Sequence, residues 1–285
     1  MKCAALILHH NNQQLLPPLL DSLSGQQRLD SIVVIDNAST DNSVSYLREQ
    51  HPGVEIIENK ENLNFGTAYN RAIATRSEDV ILILNNDVIV HPGSVMAAIQ
   101  FLEENNDVAS VSFEGLDPKR GNTPFPCDPC QPLRTFGKIL SPGRAFQSRS
   151  DAPVESPCYL WGAACAVRRD VFEQVRFDED MSWYFEDIDL GWSIRRRTGM
   201  RNVFHPSSTI YHLESTTSLS RFKKRKIRSM SGRNALISFS KNGSVKDWFR
   251  GAPRMTFAFL RSEKRRELFG LIASNVYRRI IKSRF

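Results

Sequence analysis

The sequence has no apolar run approaching the roughly 18 residues that a membrane-crossing helix needs. Its opening, Met1 to Leu8, is too short for a signal peptide and reads as a first strand, so the expected compartment is the cytoplasm. Cysteine is scarce: five in 285 residues (Cys3, Cys127, Cys130, Cys158, Cys165), an odd and scattered set that argues against a disulfide framework and for free thiols. Cys127 and Cys130 have zinc-like spacing, but no second pair completes four ligands, and loop cysteines are the plainer reading. A glycine-rich triphosphate loop is missing after the first strand, which counts against a nucleotidyltransferase. Acidic residues are nearly absent from the tail: residues 221–285 hold 19 Lys/Arg and 3 Asp/Glu, net +16, whereas residues 1–220 hold 19 and 28, net −9. The remaining composition, 41% hydrophobic and 24% charged, is that of an ordinary soluble globular protein.

What is present is a regular alternation. Ser31 to Asp36 is a β-branched run typical of a covered parallel strand, and Ala4 to Leu8, Val54 to Ile57 and the buried-looking Val80 to Leu84 read as further strands. Between them stand helical patterns at Leu15 to Leu23, with Pro17-Pro18 in its first turn, at Val44 to Gln50, and from the Asn62 to Asn70 stretch to about Thr75. A helix over Val95 to Glu104 and a strand over Val108 to Phe113 follow. This order predicts an α/β protein with a doubly wound, mostly parallel sheet flanked by helices, in which ligands sit at the carboxyl ends of the strands. Asp36, Asn64 and Asp87 all stand at or beyond strand ends and are expected in one crevice. Residues 114–157 are rich in proline and glycine and read as one long loop. Beyond it come a short helix near Arg169 to Val175, a helix from about Glu186 with acids at its start and arginines at its end, and two edge strands, Val203 to Pro206 and Thr209 to His212.

Three carboxylate positions carry the chemistry. Asp87 ends the apolar strand in Asn85-Asn86-Asp87, where it either caps a turn or holds a hard divalent cation against a diphosphate. Glu186, Asp187 and Asp189 either cap a helix or supply a general base whose basicity is raised by the apolar Trp183, Tyr184 and Phe185. Arg195 to Arg197 are a solvated helix end or an anion clamp, and His212 is a packed strand histidine or a ligand.

Five stretches in register resemble family 2 glycosyltransferases: Val33 to Asp41, Asn62 to Asn70, Leu84 to Val88, Gly162-Ala163, and Phe185 to Leu190 with Arg195 and His212. The resemblance spans roughly residues 3–240 and is greatest to the rhamnosyltransferase-like branch that builds bacterial surface polysaccharides. It implies a GT-A fold and inverting transfer of a sugar from a nucleotide-diphosphate donor, dTDP-rhamnose or a UDP-sugar, to a polyprenol-linked or oligosaccharide acceptor. On this resemblance Asp36, Asn37 and Asp41 meet the nucleotide, Asn64 and Gly66 line the donor, and Asn86 and Arg195 lie on the donor side. Trp161, Gly162 and Trp183 lie on the acceptor side. Asp187 matches the catalytic base, with Glu186 beside it. Asp87 matches the last position of a DxD-type motif, and His212 a histidine that completes the metal shell in some relatives, with Mg²⁺ or Mn²⁺ as the cofactor. Asn85 stands where the motif has its first Asp, so the cation leans on donor phosphates and His212. A catalytically silent sugar-nucleotide-binding or scaffold protein is the rival reading, and the presence of Asp87 and Asp187 counts against it.

The expected organisation is a catalytic region over 1–220, divided into a nucleotide-binding half (1–113), the 114–157 loop and an acceptor half (158–220), followed by a basic helical region over 221–285. Apolar residues among the arginines there, from Phe257 and Leu260 to Val276 and Ile281, fit helices lying on an anionic membrane surface, or else packed on the catalytic domain. Charge alone also fits a nucleic-acid partner, but the acidic first 220 residues and the sugar-transfer motifs speak against one.

Overall fold

The computed structural model describes residues 1–118, 123–124, 153–156, 160–181, 183–213, 224–243 and 265–282. Cys127 and Cys130 lie outside them. The first half follows the expected alternation: β1 (Cys3–His9), α1 (Leu16–Ser24), β2 (Ser31–Asp36), α2 (Ser43–Gln50), β3 (Glu55–Glu58), α3 (Phe65–Ile73), β4 (Val80–Asn85), β5 (Val88–Val90), α4 (Ser94–Glu104) and β6 (Val108–Asp117). The pair Pro17-Pro18 sits in the first turn of α1, where amide hydrogens have no helical partner to lose.

Strands β3, β2, β1 and β4 lie side by side and parallel, in that order. The chain moves outward from β1 to β3 and then crosses back to place β4 on the other side of β1, which makes the β1/β4 boundary a topological switch point. Register fixes what meets there. His9 pairs with Asp36, and Leu8 with Asn85, so the carboxyl ends of three strands finish at one level.

The rest of the sheet is mixed. After β7 (Thr123–Pro124) and β8 (Val154–Ser156) come β9 (Ala164–Arg168), α5 (Val171–Gln174), α6 (Glu186–Thr198) and β10 (Arg201–His212). Strand β9 runs antiparallel between β4 and β6, β10 runs parallel to β6, and β5 and β8 pair with β10 antiparallel. Two expectations are corrected here. The 114–157 stretch is not loop throughout, because β6 continues to Asp117 and β7 and β8 lie within it. The two expected edge strands are one strand, β10, and it lies inside the sheet. Its register shifts between His205 and Thr209, around Pro206, which has no amide hydrogen for the ladder.

Alternate residues of each strand face opposite layers, and the core divides accordingly. Ala5, Ile7, Leu82 and Leu84 pack under α1 and α4, whereas Ala4, Leu6, Ile81 and Ile83 pack under α3, α5 and α6. A third cluster joins Met181, Phe185, Ile188 and Trp192 to Ala235, Leu236, Ile237 and Phe239 of α7 (Lys224–Asn242), and to Leu268 of α8 (Arg265–Lys282). The start of the basic region is thus packed on α6. No described helix is long and apolar enough to cross a membrane.

Candidate active site

At the end of β2 the Asp36 side chain is buried; Oδ2 accepts from the Ser39 amide at 3.1 Å. Its Oδ1 is buried with no hydrogen-bond partner among the described residues, a costly state that a ligand donor would relieve. Asn37 is used differently. Its Nδ2 donates to Asn62 Oδ1 and the Leu63 carbonyl, and its Oδ1 accepts from Asn59 and the Leu63 amide. With both hydrogens and both lone pairs engaged, the Asn37 side chain fastens the 59–63 loop.

Asp41 accepts from the Ser43 amide and hydroxyl and from the Gln13 amide. Burial opposes its ionisation, but the Ser43 hydroxyl and these amides prevail and hold its carboxyl below the usual range. From Ser43 a relay reaches the 85–87 turn after β4. Asn86 Nδ2 donates to His9 Nδ1 at 3.1 Å, His9 Nε2 then donates to Ser43 Oγ at 2.8 Å, and Ser43 donates to Asp41. Burial pushes the His9 imidazole down to about 4, so it is neutral and this tautomer is the one the relay needs. His9 and Ser43 were not among the expected site residues, although the position of His9 at a strand end beside Asp36 was a legible signal.

Asn64 caps α3 by accepting from the Thr67 amide at 2.8 Å, and donates to the Glu179 carbonyl at 2.9 Å. A Cβ on Gly66 would lie 2.9 Å from the Phe177 Cβ and 3.2 Å from the Asp178 carbonyl. Asn64 and Gly66 therefore seat the 177–179 segment against α3; that is why these types stand here.

The two expected metal ligands meet. Val88 of β5 pairs with His212 of β10, the Leu213 amide donates to the Asp87 carbonyl, and Asp87 Oδ1 lies 3.4 Å from His212 Nε2. No group of three or more His, Cys, Asp or Glu side chains that could hold a metal ion occurs among the described residues. A cation here would thus take two protein ligands and fill its shell from phosphate and water, a pattern suited to Mg²⁺ or Mn²⁺.

Three consecutive residues link this pair to the acidic cluster. The Trp161 indole lies edge-on to His212, with ring centroids 5.9 Å apart; the Gly162 amide donates to Asp187 Oδ2 at 3.2 Å; the Ala163 carbonyl accepts from the Asn85 amide at 3.0 Å. At Gly162 a Cβ would approach the Asp187 Cβ to 3.1 Å, so glycine permits the close approach. Asp187 Oδ1 also accepts from the Ile188 amide at 2.7 Å. Burial raises the Asp187 carboxyl above the usual range, against the pull of the Gly162 and Ile188 amides. Burial, and then the neighbouring Asp187 charge, raise Glu186 too, and its Oε2 is buried with no partner among the described residues.

Asp189 and Arg195 are engaged elsewhere, while Trp183 stays beside the acidic pair. Asp189 is 1% exposed and pairs with Lys241 Nζ at 2.6 Å, so it belongs to the α6–α7 contact. Trp183 stands before α6, and its carbonyl accepts from Asn234 at 3.3 Å. Arg195 lies toward the far end of α6, where it donates to the Gly199 carbonyl and pairs with Glu155. Glu155 is opposite Val203, and β10 is bulged between there and His212: Val203 pairs with Val111 and Tyr211 with Leu116, so the two ends are about six strand rises apart, roughly 20 Å. A helix that starts at the site and runs the length of the sheet carries its last turn out of reach.

A family model described as glycosyl transferase family 2 matches residues 5–176, more than half of the chain. The chain belongs to glycosyltransferase family 2. It is similar to the N-acetylglucosaminyl-diphospho-decaprenol L-rhamnosyltransferase of Mycobacterium tuberculosis, 29% identical over 221 residues that cover 69% of this chain and 71% of the relative. Among solved structures it resembles a mannosyltransferase from Pyrobaculum calidifontis in complex with GDP-Man and Mn²⁺, at a TM-score of 0.60 and 17% identity, covering 96% of this chain and 73% of that one. It also resembles GalNAc-T7 with UDP, GalNAc and Mn²⁺, at 0.68 and 14%, covering 96% and 54%. This family 2 glycosyltransferase has the GT-A fold expected from its sequence, and its sequence is similar to that of the mycobacterial rhamnosyltransferase.

Proposed function

We propose that this glycosyltransferase transfers a sugar, rhamnose in the first instance, from a nucleotide-diphosphate donor to a lipid-diphosphate-linked saccharide with inversion at the anomeric carbon. One observation carries the reading: Trp161, Gly162 and Ala163 touch His212, Asp187 and Asn85 in turn, which sets a metal-type pair and a base-type carboxylate on either side of one short turn. The name of the mycobacterial relative supports the choice of rhamnose and of a polyprenol-diphosphate acceptor.

In this mechanism the Asp36 carboxylate receives the nucleotide, its Oδ1, which has no partner among the described residues, accepting from the base or ribose. Asp87 and His212 would hold a divalent cation, which when bound supplies positive charge to the leaving diphosphate. Asp187 removes the proton of the acceptor hydroxyl. The oxygen forms its bond to the anomeric carbon from the face opposite the diphosphate, the bond from that carbon to the phosphate oxygen breaks, and the nucleoside diphosphate departs with the electron pair. A single displacement needs one base and gives inversion.

The purified chain with dTDP-rhamnose and a polyprenol-diphospho-sugar acceptor is expected to form a disaccharide of inverted configuration, to lose activity in EDTA and to regain it with Mn²⁺ or Mg²⁺. A product of retained configuration, or donor binding without turnover across a panel of dTDP- and UDP-sugars, would overturn the reading.

The same reading puts the enzyme peripherally on the inner face of the cell membrane, beside its acceptor. The +16 charge of residues 221–285, and Phe269 standing 65% exposed on α8, support it. The chain is expected to co-sediment with vesicles containing anionic phospholipid, less so at high salt and less so as Phe269→Asp. Equal binding to neutral vesicles would sink the idea.

A further inference from the structure

The turn that leads into α6 is strained. Tyr184 and Phe185 are consecutive non-glycine residues with φ of 74° and 82°, a left-handed conformation that is unfavourable for both. Such a turn persists only where its surroundings hold it, and it sets the direction in which Glu186 and Asp187 leave the chain. No side chain caps α6 at Phe185. The hold comes from α7, inside the basic region.

Asn234, fully buried, donates from Nδ2 to the Tyr184 carbonyl at 2.6 Å and to the Trp183 carbonyl at 3.3 Å. The buried Phe185 ring packs in the cluster that contains Ala235, Leu236 and Phe239. Helix α7 grips the same segment on both sides of the turn. Arg233 donates to the Asp180 carbonyl at 2.8 Å, Lys241 pairs with Asp178 and Asp189 at 2.6 Å each, and Asn242 donates to Asp189 and Ser193. These contacts run from residue 178 to residue 193, so α7 is a splint along the chain that presents the acidic pair. Among them Asn234 is the side chain that bonds the carbonyl of a strained residue, Tyr184, and the one before it, from a neutral donor.

We propose that Asn234 is a positioning residue of the transfer reaction: it fixes the Trp183–Phe185 turn and thereby the direction of the Asp187 carboxylate. The inference rests on the reading of Asp187 as the base, and it makes the basic region part of the active-site scaffold as well as of any lipid contact.

Asn234→Leu tests it in the full chain. The substitution keeps roughly the size and shape, deletes the donor to both carbonyls together with the acceptor that Arg233 reaches at 3.3 Å, and adds no charge that would itself shift Asp187. Expected is a fall in kcat of about 10²-fold, the scale of a misplaced reacting group, with donor KM unchanged. The acid limb of the kcat profile should move to lower pH, because a relaxed turn admits water to Asp187; the titratable neighbours facing it are Glu186 and Cys165, whose Gln and Ser variants are measured in parallel. A loss of folded protein alone would scale the profile without moving its limb, and that result, or full kcat, overturns the proposal. Asn234→Ser keeps one donor and should shift the limb the same way by less, which carries the test if the Leu variant does not fold. Asp187→Asn is the separate control: full transfer there rejects the base itself, whereas loss there with an unmoved limb in both Asn234 variants rejects only the positioning role.

Discussion

Asp187→Asn is expected to lower kcat by about 10²–10⁴-fold, the usual contribution of a general base, and to leave donor affinity unchanged. The choice of this carboxylate over its neighbour follows from their surroundings. Asp187 accepts amide hydrogens from Gly162 and Ile188, which favour its charged form, while Glu186 has a buried oxygen with no partner among the described residues and faces the Asp187 charge. Near neutral pH the pair therefore holds its negative charge on Asp187 and its proton on Glu186. Both groups titrate above the ordinary carboxylate range because burial disfavours their charge. A base works only when ionised, so activity should be lost as pH falls through that raised value, with an acid limb well above the ordinary aspartate value of about 4. Glu186→Gln should be much milder. Full transfer by Asp187→Asn, or a limb at about 4 in the wild type, would reject the assignment.

Lys241→Met is expected to destabilise the fold by about 3–5 kcal/mol, the cost of removing one partner from a buried charge cluster. The Lys241 ammonium lies between Asp178 and Asp189, 2.6 Å from each, and Asp189 is almost wholly enclosed. Burial disfavours the ammonium, but the two carboxylates prevail and raise its affinity for the proton. Methionine keeps the apolar stem and deletes the charge, leaving two carboxylates facing each other without compensation. Urea unfolding, followed by far-ultraviolet circular dichroism, reads the effect as a lower midpoint. The double variant Lys241→Met/Asp189→Asn should recover part of the loss. A single variant within about 1 kcal/mol of wild type would show the cluster to be no more than a surface ion pair.

Much of the fold was legible because the signals were local. The apolar runs of β1, β2 and β4 read as buried strands, and the Asp36 and Asn85 endings of β2 and β4 marked the strand ends at the switch point. The meeting of Asp87 with His212 was legible too, through a match of motifs 125 positions apart that no local signal joins. What the sequence hid were roles decided by partners. Asn37, Asn64 and Gly66 stand where donor contacts were expected, and the structure engages their side chains or spaces in holding loops. Arg195 stands in the last turn of α6, which Gly199 ends in the left-handed conformation, and there it pairs with Glu155. In the tail the charge count masked Asn234 and Lys241, whose partners lie some 50 residues earlier in the chain.

The relay from Asn86 through His9 and Ser43 to Asp41 bears on any attempt to redesign donor choice. The loop after β2 and the turn after β4 look like separate modules that could be exchanged one at a time from another member of the family. They are bolted together beneath the surface by a neutral imidazole that has one correct orientation. A transplanted loop lacking the Asp41-Ser43 end of that bolt would arrive with its own chemistry intact and leave the opposite turn out of alignment. The two loops and His9 are therefore the smallest unit that can be grafted.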